Sequence, residues 1–178
     1  TGIAIAYGLC ALRGVGETAA QAIIDDRIEN GLYTSLNDLK KRLGTTINKK
    51  TLSSLIYAGA LDTIIQTRSD AIQSLSSAEQ NQNQMSFFDI ENIDTRKTVP
   101  EFSLQEKLEK EFQVFGFWHN QHPLQSHIQT IKKAGLKSLR SLKQQKTMPK
   151  SAWLVGGVLS SDMRGTKQGG MMGILRLS

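Results

Sequence analysis

The stretch LRGVGETAAQAII, residues 12–24, holds the residues best suited to chemistry. Gly14 and Gly16 flank Val15 in a tight turn between two apolar-patterned segments. Glycine reaches backbone angles closed to other residues and lets a second backbone come close. Val15 is expected to plug the turn into a core, and the small Ala20 to let two helices cross closely. A second helix starting near Glu17 then leaves amide N–H groups pointing outward, an arrangement suited to a phosphate oxygen. Arg13 and Thr18, on either side of the turn, complete the expected phosphate contacts. An ordinary tight turn between helices is the competing reading.

A degenerate second copy follows. Thr46-Ile47-Asn48 stands where Gly14-Val15-Gly16 stood, and Leu52 takes the place of Ala20. Asn is the next most tolerant residue for a left-handed backbone, so a similar turn is expected. Lys49 and Lys50 place cations at a phosphate-facing helix start. Both copies look like helix-hairpin-helix motifs. Two of them related by pseudo-symmetry would hold both strands of a duplex through salt-sensitive contacts that ignore base sequence.

The second candidate is NQNQMSFFDIEN, residues 81–92, where Met85, Phe87 and Phe88 sit among polar, low-complexity residues. Burying one such aromatic is worth roughly 1.5–3 kcal/mol. They either tuck onto the protein's own helices or serve a partner. Other constellations carry less. His119, His122 and His127 match no common zinc spacing, and no metal is assigned to them. Asp25 and Asp26 point about 100° apart on a helix, so a solvated face is expected. Cys10, in an apolar pattern, is expected to be a buried inert thiol, and a single cysteine excludes an internal disulfide. No nucleophile–base pair and no P-loop occurs, so no catalytic residue and no cofactor is assigned to this segment.

Short helices must position these residues. Residues 17–30 place Ala20, Ile23, Ile24 and Ile28 on one face, with Gly31 as the stop. Ser35 and Asp38 have capping-box spacing before Leu36, Leu39 and Leu43. Asn48 caps a third helix through Leu52, Leu55 and Ile56 that ends at Gly59. Residues 68–78 are weakly helical, and no period survives from 79 to 100. Ser103 and Glu106 open a helix aligning Leu104, Leu108, Phe112 and Phe115. Pro123 opens another with Leu124, Ile128 and Ile131 inward and Gly135 at its end. AWLVGGVLS and MMGILRLS then read as a β-hairpin joined by SDMRGTKQGG, too little to close a sheet.

The fold class expected is mainly α with a C-terminal β piece. Its expected parts are a tandem hairpin region over 1–60, a helical extension over 61–78, a linker over 79–100, a helical connector over 101–150 and a β piece over 151–178. Charge follows the same division. Residues 1–60 carry 7 basic and 5 acidic side chains, 61–111 carry 5 and 10, and 112–178 carry 10 and 1. A strongly basic end suits a polyanion. No apolar run is long enough to span a bilayer, and no signal peptide is recognised, so a cytoplasmic protein without a membrane partner is expected. With no initiator Met and an unfinished β-hairpin, the chain is expected to be a piece of something longer.

YGLCALRGVGETAAQAIIDDR, GLYTSLNDLKKR, INKKTLSSLIYAGALD, LEKEFQVFGF and HPL occur in the order seen in one family. Essentially the whole chain resembles the C-terminal part of the alpha subunit of bacterial replicative DNA polymerase III. The chain departs from that family at Trp118-His119-Asn120-Gln121, where tyrosine, leucine, serine and glycine are usual. The resemblance implies a tandem helix-hairpin-helix, a helical connector and the first strands of an OB fold, whose complete form binds single-stranded DNA. It also implies a sliding-clamp peptide at Gln84, Met85, Ser86, Phe87 and Phe88, with Phe87 in place of the usual leucine or methionine. Implied partners are double-stranded DNA, single-stranded DNA, the sliding clamp and the other polymerase III holoenzyme subunits. Nucleotidyl transfer with Mg²⁺ would belong to the parent polymerase, upstream of this segment. The alternatives are the error-prone paralogue of the alpha subunit and a free-standing helix-hairpin-helix repair scaffold. Residues 84–88 argue for the replicative form.

Overall fold

The computed structural model describes residues 7–80, 99–136, 139–144 and 151–178. It comprises two compact units, Thr1–Asn120 and Gln121–Ser178. The architecture is mainly helical with one antiparallel β-hairpin, as the sequence patterning predicts.

In the first unit a 3₁₀ turn, Leu9–Ala11, leads into α1 (Glu17–Asn30), α2 (Leu36–Leu43) and α3 (Lys49–Tyr57). α4 (Arg68–Gln80) and α5 (Leu104–Phe115) follow. Local chemistry sets the boundaries. Ser35 Oγ accepts from Asp38 N at 3.0 Å and Asn48 Oδ1 accepts from Thr51 N at 2.9 Å, so both residues cap as expected. The box at Ser35 is not reciprocal, because Asp38 accepts from Thr34 N instead. At α5 it is reciprocal: Glu106 Oε2 accepts from Ser103 N at 2.8 Å while Ser103 Oγ accepts from Glu106 N. Gly116 ends α5 in the left-handed conformation, φ 79°.

One hydrophobic core joins these helices. Leu12, Val15, Ala20 and Ile23 meet Leu39, Leu43, Ile47, Leu52, Leu55 and Ile56, with Ala71 and Leu75 of α4 completing it. The stripe expected on α1 is only partly buried, since Ile24 is 43% and Ile28 77% exposed. On α5 the inward positions are Leu108, Glu111 and Val114, whereas Leu104 is exposed. The buried Glu111 shifts the inward face away from the expected one, because it answers a cation. Arg68 Nη1 donates to Glu111 Oε1 at 3.0 Å and to Tyr57 O at 3.2 Å, and Asn120 Nδ2 donates to the same Glu111 oxygen at 2.6 Å. The other edge of the Arg68 guanidinium is bidentate on Asp62, at 2.8 and 2.6 Å.

Two further corrections come from tertiary contact. Asp26, expected on a solvated face, is half-buried with its carboxylate 2.7 Å from Arg42, whose guanidinium also covers the Tyr33 ring at 4.3 Å. Cys10, expected to be buried, is exposed.

In the second unit a 3₁₀ segment, Pro123–His127, runs into α6 (Ile128–Lys133). Ile128 is exposed there, not inward, because a 3₁₀ turn rotates its side chains away from the α-helical stripe. α7 (Leu139–Lys143) is one short helix with Leu142 buried. β1 (Val158–Gly165) pairs antiparallel with β2 (Met171–Leu177), with Asp162 opposite Ile174 and Met163 opposite Gly173. β1 therefore takes in half of the expected connector. The remaining turn is closed by Thr166, whose N donates to Gly170 O at 2.7 Å, with Gly169 at φ 82°.

Candidate nucleic-acid interface

The first turn is built from Leu12 onward. Val15 N donates to Leu12 O at 3.1 Å, and both side chains are buried, so the turn is anchored by its apolar members. Gly14 takes φ 90°, a conformation that strains residues with a Cβ. Gly16 is the N-cap of α1 at φ −80°, ψ 162°, an extended conformation open to any residue. The need for glycine thus lies at Gly14 alone.

The second turn repeats this path in its decisive part. Asn48 caps α3 at φ −81°, ψ 166°, within a few degrees of Gly16. The left-handed backbone expected at Asn48 is not adopted, because the N-cap position itself calls for an extended residue. Ile47 is as buried as Val15, and Leu52 and Leu55 take the inward places of Ala20 and Ile23. The copies differ at the left-handed residue: Thr46 lies in a 3₁₀ turn, Gly44–Thr46, where the first copy has Gly14.

The two turns are joined directly. Thr51 Oγ1 donates to Gly14 O at 3.0 Å. Ser54 Oγ lies 2.6 Å from where a Cβ on Gly14 would stand, and the Lys50 stem passes the same point at 3.6 Å. The positive φ and the close approach of α3 both exclude a side chain at Gly14. The consequence is electrostatic: a lysine from the second hairpin lies along the turn of the first. Lys49 and Lys50 occupy the first positions of α3, the positive end of its dipole, where cations are disfavoured by roughly 0.3–1 kcal/mol each. An anion bound there offsets that cost.

Of the other expected contacts, Thr18 is exposed in the first turn of α1. Arg13 is exposed too, but it is committed to α5. Its N–H donates to Val114 O at 2.9 Å, and its guanidinium lies over Gly116, 2.7 Å from the point a Cβ would take. Gln84, Met85, Ser86, Phe87 and Phe88 lie outside the described residues. Among the described residues, no three His, Cys, Asp or Glu side chains gather as a metal site. No described helix is long and apolar enough to cross a membrane.

A sequence model of the helix-hairpin-helix motif matches residues 1–71. The DNA polymerase III subunit alpha of Neisseria meningitidis serogroup A is 33% identical over 153 residues, covering 79% of this chain and 13% of the relative. That of Deinococcus radiodurans is 31% identical over 195 residues, covering 94% of this chain and 14% of the relative. This chain is related to the alpha subunit of DNA polymerase III. The subunit of Vibrio cholerae, 29% identical, covers 98% of the chain. The chain spans between 13% and 16% of the length of these three relatives.

Away from the two turns, one contact that supports the fold had no sequence signal. Glu101 accepts from Arg68 N and Ser69 N at 3.1 and 3.2 Å and pairs with Lys107 at 3.2 Å, so it caps α4 from a distant segment. Burial opposes its charge, but these backbone bonds, that of Phe102 N and the Lys107 ammonium outweigh it. They hold the Glu101 carboxyl down at about 2.

Proposed function

We propose that this chain is a non-catalytic, DNA-gripping and clamp-tethering segment of a replicative DNA polymerase. The observation that carries the reading is the pair of matched turns, with Lys50 of the second laid along Gly14 of the first. Each helix start offers backbone N–H groups and a positive dipole end, which take a phosphate oxygen without reading a base. In this reading Thr18 and residues 14–16 meet one strand, with the Arg13 guanidinium held over Gly116 at their edge, and Thr46, Ile47, Asn48, Lys49 and Lys50 meet the other.

Residues 84–88 bind the sliding clamp, with Phe87 and Phe88 as apolar anchors and Gln84 setting the register. The hairpin β1–β2 begins an OB fold. It leaves Met163, Met171, Leu175 and Leu177 exposed, as expected for strands that further strands would cover, and the complete fold binds single-stranded DNA. The parent polymerase works in the cytoplasm among its holoenzyme subunits and transfers nucleotides with Mg²⁺ held outside this segment.

Fluorescence anisotropy of residues 1–178 on labelled duplexes of unrelated sequence tests the grip. Affinity is expected to fall steeply with salt and to be nearly equal among sequences. Sequence-selective or salt-independent binding would end this reading. Titration calorimetry of a peptide spanning residues 81–92 against the cognate clamp tests the tether. Phe88→Ala is expected to weaken it at least about tenfold. Absence of heat from the unchanged peptide at high micromolar concentration would remove the tether alone.

A further inference from the structure

We propose that Tyr7, Phe117 and His119 form a stacking platform for the unpaired bases of single-stranded DNA, beside the phosphate-gripping turn. Four aromatic rings gather where α5 ends. Tyr7 meets Phe115 edge-on at 5.2 Å and Phe117 at 5.8 Å, while His119 stacks on Phe115 at 4.7 Å and 20°. Phe115 is the half-buried floor, but Tyr7 and Phe117 each keep 44% of their surface in solvent, and His119 is exposed. Exposed rings that brace one another have already lost their rotamer freedom, so a base can stack on them at little further entropic cost.

The surroundings select a nucleic acid over a protein. The Arg13 guanidinium lies over Gly116, the residue between Phe115 and Phe117, which puts a fixed cation within the aromatic patch. Arg13 also leads directly into Gly14, so the platform continues the surface that would hold a phosphate. Cation, aromatic faces and a neighbouring phosphate site are the parts that single-strand binding combines. Every base has a π-face, so this site would accept any sequence. It rests on the nucleic-acid reading of the first turn and adds a second kind of ligand to it.

The test uses residues 1–178 with a labelled oligodeoxythymidine 12-mer and, in parallel, a blunt duplex. Phe117→Leu keeps an apolar side chain but removes the ring, and Tyr7→Leu does the same at the other edge. Each is expected to weaken single-strand binding about tenfold, to leave duplex binding within about twofold and, through the lost ring contacts, to lower the melting temperature by only a few degrees. Ultraviolet crosslinking of a 5-iododeoxyuridine oligomer, mapped by mass spectrometry, is expected to mark Tyr7, Phe117 or His119. Unchanged single-strand affinity in both variants, with crosslinks only on residues 158–177, would overturn the platform and assign the rings to contact with protein. Loss of duplex binding by the unchanged chain would instead remove the phosphate grip, leaving the crosslinks to judge the platform.

Discussion

Thr51 Oγ1 donates a 3.0 Å hydrogen bond to the Gly14 carbonyl, tying the start of one hairpin helix to the turn of the other. The bond is buried on the Thr51 side, and Ser54 presses on the same glycine. Thr51→Val keeps the shape and loses the bond, and is expected to cost about 1 kcal/mol in urea unfolding. Gly14→Ala meets both the φ of 90° and Ser54, and is expected to cost roughly 2 kcal/mol or more. Gly16→Asn copies the cap of the second hairpin at the same backbone angles, so it is expected to be neutral or slightly stabilising. A Gly16→Asn chain less stable than Gly14→Ala would contradict this division of roles.

Lys49 and Lys50 stand against the dipole of α3, and Lys50 reaches the first turn. Replacing both with Glu removes the cations from one helix start and restores the favourable charge for the helix itself. Duplex affinity is expected to fall while the melting temperature holds or rises. The slope of log affinity against log salt should lose roughly one unit per lost phosphate contact. An unchanged slope would place the contact elsewhere.

The helices were readable because their signals are local. Ser35, Asn48 and Ser103 each cap through a residue three positions on, and Val15 and Ile47 are apolar plugs inside polar turns. The likeness of the two turns was readable for the same reason, since Gly16 and Asn48 both open a helix from an extended N-cap. Asp26 and Glu101 were not, because their partners lie on other elements and no spacing announces them. Gly16 was misjudged because sequence shows a glycine and not its φ. The inward turn of Glu111 was hidden because a carboxylate breaks the apolar stripe that marks a buried face.

Glu111 is 2% exposed, and its Oε1 accepts from Arg68 and from Asn120. Arg68→Met leaves that carboxylate without its cation and is expected to cost about 3–5 kcal/mol, near the whole stability of a small unit. Adding Glu111→Leu removes the stranded charge, so the double variant is expected to regain much of the loss in chemical denaturation. Additive losses in the double-mutant cycle would show that the pair is not coupled.

Glu101 supplies a stability that depends on pH. Its carboxyl is held at about 2 in the folded chain, below the ordinary value of 4.5. The folded form therefore favours the ionised group, and its contribution is complete above the ordinary value. It is lost as pH falls from there toward about 2, where the carboxylate gives up the N–H groups of Arg68 and Ser69. Glu101→Gln keeps the shape but cannot offer a charged acceptor to the α4 start or to Lys107. It is expected to lower stability by roughly 1 kcal/mol at pH 7 and to make almost no difference near pH 2. Thermal unfolding of both chains across pH 2–7 measures this as a gap in melting temperature that opens as pH rises through 3 to 5. A gap independent of pH would mean that Glu101 acts by packing and not by its charge.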